Sequence, residues 1–163
     1  VSHVLRAISL LEEQLFHLDI IFTNRERKET LKSPLGLTQL SGTKVLVAED
    51  NTNNQIVIRQ FLEQKGCRVH IVSDGQEAII KAQNDEIDII FMDIQMPILD
   101  GISATKAIRK LGIATPIIAL TANAIHGDKV RFIDAGMNDY LAKPIVSETL
   151  YLLLDKYTKF KQV

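Results

Sequence analysis

From residue 44 onward, five short apolar segments alternate with five stretches of helical periodicity. Residues 45–47, 89–92 and 117–120 are continuously apolar, which is typical of strands in a parallel sheet buried on both faces. The predicted strands are Lys44–Ala48, Arg68–Val72, Asp88–Met92, Pro116–Leu120 and Asp139–Ala142. The predicted helices are Thr52–Lys65, Gly75–Asn84, Gly101–Leu111, Ala124–Ala135 and Ser147–Phe160.

This alternation predicts an α/β fold, a (βα)5 sandwich with helices on both faces of one parallel sheet. Right-handed crossovers then give a flavodoxin-like, doubly wound sheet with strand order 2-1-3-4-5. In such sheets, ligands bind beyond the carboxyl ends of the strands, at the point where the strand order reverses. The residues at the strand ends are therefore the first candidates for chemistry.

The composition is that of a globular protein, because 46% of the 163 residues are hydrophobic and 24% are charged. With 19 basic and 20 acidic residues, the chain lacks the broad positive field that binds nucleic acid or anionic membranes. Its single cysteine, Cys67, cannot form an internal disulfide framework. No apolar run is long enough to cross a bilayer. We therefore expect a cytoplasmic domain that contacts neither nucleic acid nor membrane.

Residues 1–23 form a separate predicted element, since apolar side chains recur over residues 1–22 at alternating spacings of three and four. This stripe predicts an amphipathic helix. Two uses stay open, a coiled coil that joins two copies in a homodimer or packing on a neighbouring domain. Residues 24–42 read as a linker and residues 43–163 as the main domain. Because the chain begins at Val1 and not at Met, we expect a piece of a longer protein.

Acidic side chains follow two of the predicted strands. Glu49 and Asp50 come directly after the first strand, and Asp93 follows the third. Alone, Asp50 or Asn51 would be interpreted as the N-cap of the following helix. Together, the three carboxylates converge at one edge of the sheet and repel one another, so a cation is needed to keep them ionised. Oxygen ligands without a Cys or His cluster favour Mg²⁺ over Zn²⁺.

Two further polar residues stand at the ends of later strands, Thr121 at the fourth and Lys143, before Pro144, at the fifth. Singly, Thr121 is explained as a helix N-cap, Lys143 as an exposed charge and Pro144 as a strand stop. Jointly with the acids, a hydroxyl group and a fixed ammonium group form the set that phosphoryl transfer to Asp93 would require.

These residues stand in motifs that resemble the receiver domain of two-component response regulators, over about residues 43–160. The motifs are VLVAEDN at residues 45–51, MDIQMPILDG at 92–101, IALTA at 118–122 and DYLAKP at 139–144. The resemblance implies that Asp93 accepts a phosphoryl group from phosphohistidine. It also implies a Mg²⁺ ion held by Asp50, Asp93 and the backbone carbonyl of Gln95, with Glu49 acting through a bound water.

In the same family, Lys143 is expected to pair with Asp93 before transfer and with the phosphoryl group afterwards. A cis peptide bond between Lys143 and Pro144 would aim the lysine inward. The resemblance also implies a switch, in which Thr121 moves toward the phosphoryl group and Tyr140 turns into the space that it leaves. The surface formed by the fourth helix, the fifth strand and the last helix would change as a result.

Gln95 and Asn123 lie two residues after Asp93 and Thr121, at positions that flank the attacking water in receivers. Both amides are therefore expected to tune the lifetime of the phosphorylated state. An aspartate-nucleophile phosphatase is a rival interpretation, but it would need an acid in place of Gln95. A degenerate receiver that only binds or dimerises proteins is another rival, and the complete set of site residues argues against it.

Among receivers, the chain most resembles the C-terminal receiver of a hybrid sensor histidine kinase, because a helix and a linker precede the domain. The implied partners are a histidine kinase domain, in cis or in trans, and a histidine phosphotransfer protein. A free-standing receiver is the alternative. The chain carries no kinase catalytic motif, so only its own phosphorylation and dephosphorylation would be enzymatic. The parent protein is then expected to be a kinase anchored in the membrane.

Overall fold

The computed structural model describes residues 40–123 and 126–158, without the side chains of residues 126 and 127. The strands are β1 (Lys44–Ala48), β2 (Arg68–Val72), β3 (Ile89–Asp93), β4 (Ile117–Thr121) and β5 (Asp139–Ala142). The helices are α1 (Thr52–Gln64), α2 (Gly75–Asn84), α3 (Gly101–Lys110), α4 (His126–Ala135) and α5 (Ser147–Thr158). All strands are parallel and adjoin in the order β2-β1-β3-β4-β5. The predicted flavodoxin-like topology is confirmed.

Two strands begin and end one residue later than predicted. The apolar runs place Asp93 and Thr121 just after β3 and β4, but each is the last residue of its strand. Both residues pair with the neighbouring strand, because backbone hydrogen bonding continues past the point where the side chains become polar. The two side chains are therefore held on regular backbone instead of a loop.

The helices differ from the prediction only at their ends. α1 ends one residue early because Lys65 forms its C-cap, and Gly66 follows at φ +79. α3 ends at Lys110 in the same way, before Gly112 at φ +77. Residues 124 and 125, where α4 was predicted to begin, lie outside the described residues, as does the predicted end of the last helix. Across residues 40–123 and 126–158, no helix combines the length and apolar character that a membrane crossing requires.

Alternate strand residues point to opposite faces of the sheet and build two hydrophobic clusters. One cluster joins the sheet to α2, α3 and α4, and the other joins it to α1 and α5. The first includes Leu46, Ile90, Met92, Ile117, Ala78, Ile108 and Phe132, and the second includes Val45, Phe91, Leu120, Ile58, Leu62 and Leu150. Each large buried side chain contributes about 1.5–3 kcal/mol relative to its exposed state. This packing holds the strand ends in fixed positions.

Polar side chains cap the helices that follow β1, β2 and β3. The side chain of Asn51 accepts hydrogen bonds from the N–H groups of residues 53 and 54, at 2.9 and 3.2 Å. Asp74 and Asp100 cap α2 and α3 in the same manner. Since Asn51 caps α1, the carboxylate of Asp50 does not serve as the helix cap.

The packed domain begins before residue 43. Leu40 lies in the predicted linker, yet it is 3% exposed. It packs in the same cluster as Cys67, and the N–H of Gly42 donates a hydrogen bond to the carbonyl of Gly66 at 2.9 Å. The predicted helix over residues 1–23, and the linker up to residue 39, lie outside the described residues.

Gly101 marks the closest approach of α3 to the end of β3. A Cβ atom here would collide with the carbonyl oxygen of Asp93 and would lie 3.0 Å from Cγ of Met92. We predict that Gly101→Ala lowers the free energy of unfolding by about 1–3 kcal/mol, as overpacking does. Urea unfolding followed by circular dichroism measures the change, with Lys106→Ala on the exposed side of α3 as control. A wild-type midpoint for Gly101→Ala would contradict the close approach.

Candidate functional site

The candidate site lies at the carboxyl edge of the sheet, between β1 and β3. The strand order reverses at this point, because β1 has β2 on one side and β3 on the other. Glu49 and Asp50 directly follow β1, and Asp93 ends β3. Thr121 ends β4 and Lys143 directly follows β5, so both reach the same edge. The five predicted residues are therefore at the location where doubly wound sheets bind ligands.

Three carboxylates form the centre of the site. One oxygen from each of Glu49, Asp50 and Asp93 lies within 4.8 Å of the other two. Glu49 is 0% exposed and Asp93 is 4% exposed, whereas Asp50 faces the solvent. Within the described part of the chain, this is the one group of His, Cys, Asp and Glu residues with such geometry.

Lys143 connects the two buried carboxylates. Its Nζ donates a hydrogen bond to Oδ2 of Asp93 at 2.6 Å and lies 2.7 Å from Oε2 of Glu49. The peptide bond between Lys143 and Pro144 is cis, the geometry that the family resemblance implies. The N–H of Lys143 also donates to the carbonyl of Thr121 at 2.8 Å. Backbone and side chain thus both hold Lys143 at the sheet edge.

Glu49 is fixed by its surroundings but keeps one oxygen with unused capacity. Oε1 accepts a hydrogen bond from the N–H of Asn51 at 3.0 Å, and the backbone carbonyl of Glu49 accepts one from Gln55 at 2.6 Å. Oε2 is buried and lies beside the ammonium group of Lys143, yet its angles do not satisfy hydrogen-bond geometry. A buried carboxylate oxygen in this state favours an additional donor or a cation.

The electrostatics of the site show an excess of negative charge. Burial raises the pKa of Asp93, and the charge of Glu49 adds to this effect. Together they outweigh the hydrogen bonds from Lys143 and from the N–H of Gln95, which lower it. Burial lowers the pKa of Lys143, but its hydrogen bond to Asp93 and its ion pairing with Glu49 and Asp93 outweigh burial, and the pKa lies above the usual value. Lys143 therefore stays charged, but one ammonium group does not balance three acids.

The side chains of Thr121 and Tyr140 contact residues outside the acidic cluster. The hydroxyl of Thr121 donates to the carbonyl of Asn123 at 2.9 Å and accepts from its N–H at 3.2 Å. Tyr140 is half-buried, and its ring lies 6.5 Å from the ring of Phe132, tilted by 49°. The threonine hydroxyl is thus engaged by the loop after β4, and the tyrosine packs against α4.

The loop after β3 completes the site. The N–H of Gln95 donates to Oδ1 of Asp93 at 3.0 Å. A groove at the mouth of the site is lined by Asp50, Gln95, Asp100 and, from α4, Arg131. No motif in the sequence predicts Arg131 at this place, because only the packing of α4 on the domain brings it there.

The donor set fits a hard divalent cation. The three acids offer carboxylate oxygens, and neither His nor Cys belongs to the group. Mg²⁺ takes oxygen ligands and retains part of its hydration shell, which suits a cluster with one side open through Asp50. The underused oxygen of Glu49 and the excess negative charge both favour such an ion.

A protein-family model for the response regulator receiver domain matches residues 45–155. Hybrid signal transduction histidine kinase I of Dictyostelium discoideum is 45% identical over an alignment of 127 residues, which covers 72% of this chain and 7% of that kinase. Sensor histidine kinase GacS of Pseudomonas protegens is 35% identical over an alignment of 145 residues, which covers 86% of this chain and 15% of that kinase. The chain thus matches only a small part of these relatives.

Two solved structures share the fold. One is the receiver domain of a sensor histidine kinase from Pseudomonas aeruginosa PAO1, with a magnesium ion coordinated in its active site cleft. It has a TM-score of 0.67 and 46% identity, covering 72% of this chain and 98% of that one. The other is the receiver domain of Ssk1 in complex with the histidine phosphotransfer signaling protein Ypd1 of Saccharomyces cerevisiae. It has a TM-score of 0.72 and 30% identity, covering 76% and 93%.

The matched region, residues 45–155, contains all five strands except the first residue of β1 and every residue of the candidate site. Its curated relatives include hybrid histidine kinases from a eukaryote and from bacteria. The chain therefore belongs to the response regulator receiver domain family and is homologous to the receivers of hybrid histidine kinases.

Proposed function

We propose that this receiver works in a His-Asp phosphorelay by accepting a phosphoryl group on Asp93. The observation that carries the proposal is the placement of Asp93, whose carboxylate is within 4.8 Å of two other acids and 2.6 Å from the ammonium group of Lys143. A nucleophilic carboxylate beside a cation-binding cluster and a fixed positive charge is the arrangement that phosphoryl transfer uses.

In the proposed reaction, a carboxylate oxygen of Asp93 attacks phosphorus and forms the P–O bond of an aspartyl phosphate. The P–N bond to the donor histidine breaks, and its electron pair returns to the imidazole nitrogen. The imidazole leaves as a neutral group when its other nitrogen carries a proton. Lys143 then exchanges its contact with Asp93 for a contact with a phosphoryl oxygen. The hydroxyl of Thr121 donates a hydrogen bond to a second phosphoryl oxygen.

Mg²⁺ is the cofactor that we propose for the acidic cluster. Asp50, Asp93 and the backbone carbonyl of Gln95 would hold it, and Glu49 would act through a bound water. When bound, the ion supplies positive charge against the negative charge of the phosphoryl oxygens. The oxygen-only donor set supports this choice, as does the magnesium ion in the receiver from Pseudomonas aeruginosa.

The same geometry supports a switch that starts at Thr121. To reach a phosphoryl group, its hydroxyl must leave both contacts with Asn123. Tyr140 would turn into the space that opens, and its contact with Phe132 would transmit the change to α4. The surface of α4, β5 and α5 would thereby differ between the two states. Gln95 and Asn123, with their neutral amides, would tune how fast water removes the phosphoryl group.

We propose that the phosphoryl donor is a histidine kinase domain, in cis or in trans, or a histidine phosphotransfer protein. Support comes from the hybrid kinases among the relatives and from the complex of Ssk1 with Ypd1. We further propose that the receiver works in the cytoplasm as the receiver part of such a kinase. A homodimer through residues 1–22 stays a prediction.

The first test is intact mass spectrometry after incubation with Mg²⁺ and acetyl phosphate. We expect an increase equal to one phosphoryl group, because the carboxylate of Asp93 belongs to the acidic cluster and accepts a hydrogen bond from Lys143 at 2.6 Å. Asp93→Asn and an EDTA control should abolish the adduct, and Asp134→Asn, which alters an exposed acid of α4, should retain it. Persistent phosphorylation of Asp93→Asn would refute the assignment. If no adduct forms, failure to bind fluoroberyllate as well would refute the phosphoacceptor role.

The excess negative charge of the metal-free site should affect the melting temperature, which is measured in EDTA. Because burial and the charge of Glu49 raise the pKa of Asp93, the folded state binds this proton more tightly than the unfolded state does. Ionised Asp93 therefore destabilises the fold above its folded pKa, and the cost disappears as the pH falls below the unfolded value of about 3.9. Asp93→Asn should melt a few degrees above the wild type at pH 7, with a smaller difference at pH 4. Equal melting temperatures at pH 7 would contradict the charge excess.

The switch is tested by NMR of the aromatic ring resonances with Mg²⁺ and fluoroberyllate. We expect the Tyr140 resonances to shift in the wild type and to shift less in Thr121→Ala, because the hydroxyl that draws the loop toward the ligand is missing. The ring resonances of Phe61 on α1 are the internal control, because α1 is not part of the surface formed by α4, β5 and α5. An unchanged Tyr140 in the liganded wild type would exclude the switch.

A further inference from the structure

The groove at the mouth of the site contains a cation that the proposed chemistry has not used. Arg131 lies on the exposed side of α4 and lines this groove together with Asp50, Gln95 and Asp100. The residues Ile94, Met96 and Pro97 complete the lining of the groove. Asp50 lines the groove and also belongs to the acidic cluster with Asp93, so the groove adjoins the phosphoacceptor.

Two of the other charged groups of the groove and the site, Lys143 and Asp100, already have hydrogen-bond partners. Lys143 contacts two carboxylates, at 2.6 and 2.7 Å. The carboxylate of Asp100 accepts hydrogen bonds from the hydroxyl and the N–H of Ser103, at 2.7 and 2.9 Å, and these bonds hold its pKa below the usual value. Asp50 belongs to the cation cluster. Arg131, by contrast, forms no ion pair or hydrogen bond with any residue in the described part of the chain.

A phosphoryl group in transit carries negative charge, and the acids that line the groove repel it. An arginine in the wall offsets this repulsion, and its planar guanidinium group can donate two parallel hydrogen bonds to phosphoryl oxygens. Lys143 cannot serve this purpose before transfer, because its ammonium group is held by Asp93 and Glu49. The groove therefore provides a separate cation for the incoming donor.

We propose that Arg131 is a positioning residue that binds the phosphoryl anion of the donor at the groove before transfer to Asp93. This inference rests on the proposed phosphoacceptor function. It adds a residue of α4 to the chemistry of the strand ends, and it does not depend on the leaving group of the donor, since the phosphoryl anion is the part that Arg131 contacts.

The test measures the rate of phosphorylation of the full chain over a range of donor concentrations, with saturating Mg²⁺. The donors are acetyl phosphate and phosphoramidate, in which phosphorus is bonded to nitrogen as in phosphohistidine. Arg131→Gln should lower the second-order rate constant about two- to fivefold with both donors, as the loss of an exposed charge interaction does. The half-saturating donor concentration should rise while the maximal rate stays the same. Arg131→Lys should recover part of the loss.

Lys129→Gln is the matched control, because it removes one positive charge from the exposed side of the same helix without lining the groove. It should phosphorylate at the wild-type rate. Added salt should slow the wild type more than Arg131→Gln, because it screens the attraction to the guanidinium group.

Fluoroberyllate binding distinguishes a failure of the role of Arg131 from a failure of the phosphoacceptor role of Asp93. If the wild type binds fluoroberyllate and Arg131→Gln is phosphorylated at the wild-type rate, the role of Arg131 is refuted and the function of Asp93 stands. A loss with acetyl phosphate alone also refutes it, because the guanidinium group would then contact the acyl part of the donor. A wild type that neither binds fluoroberyllate nor accepts phosphate refutes both proposals.

Discussion

The site depends on the ion pairs that the ammonium group of Lys143 forms with Asp93 and Glu49. Each carboxylate is buried, and a buried charge is costly unless another charge pairs with it. Lys143 comes from the strand at the edge of the sheet, so the pairing reaches across β4 to β3 and β1. One side chain thus ties the most distant parts of the site together, and the remaining negative charge leaves it ready for a metal ion.

The fold holds these buried charges close together because the strand ends are rigid. Asp93 is both the last ladder residue of β3 and the residue that α3 approaches most closely, where only a glycine fits at position 101. The helix caps at Asn51 and Asp100 end the connecting loops within a few residues. Short loops and two packed faces therefore leave the acids little freedom to relax away from one another, which maintains their mutual repulsion in the absence of a cation.

Most of the fold could be predicted because buried strands leave continuous apolar runs in the sequence and amphipathic helices leave a helical period. The strand ends were predicted wrongly where backbone pairing continues onto residues with polar side chains. Asp93 and Thr121 are polar, yet they belong to β3 and β4, because ladder hydrogen bonds do not depend on the side chain. Leu40 lies in a segment where the leucines follow no regular spacing, so its burial beside Cys67 could not be predicted from the pattern.

The sequence by itself predicted the parallel sheet and which polar residues lie at its carboxyl edge, because residues that end parallel strands must meet at one edge of the sheet. Only the tertiary structure decided which contacts these residues make. The pairing of Lys143 with two acids, the hydrogen bonds of Thr121 with Asn123 and the place of Arg131 in the groove depend on distances between segments far apart in the chain. Such distances follow from packing, and no local pattern of residues encodes them.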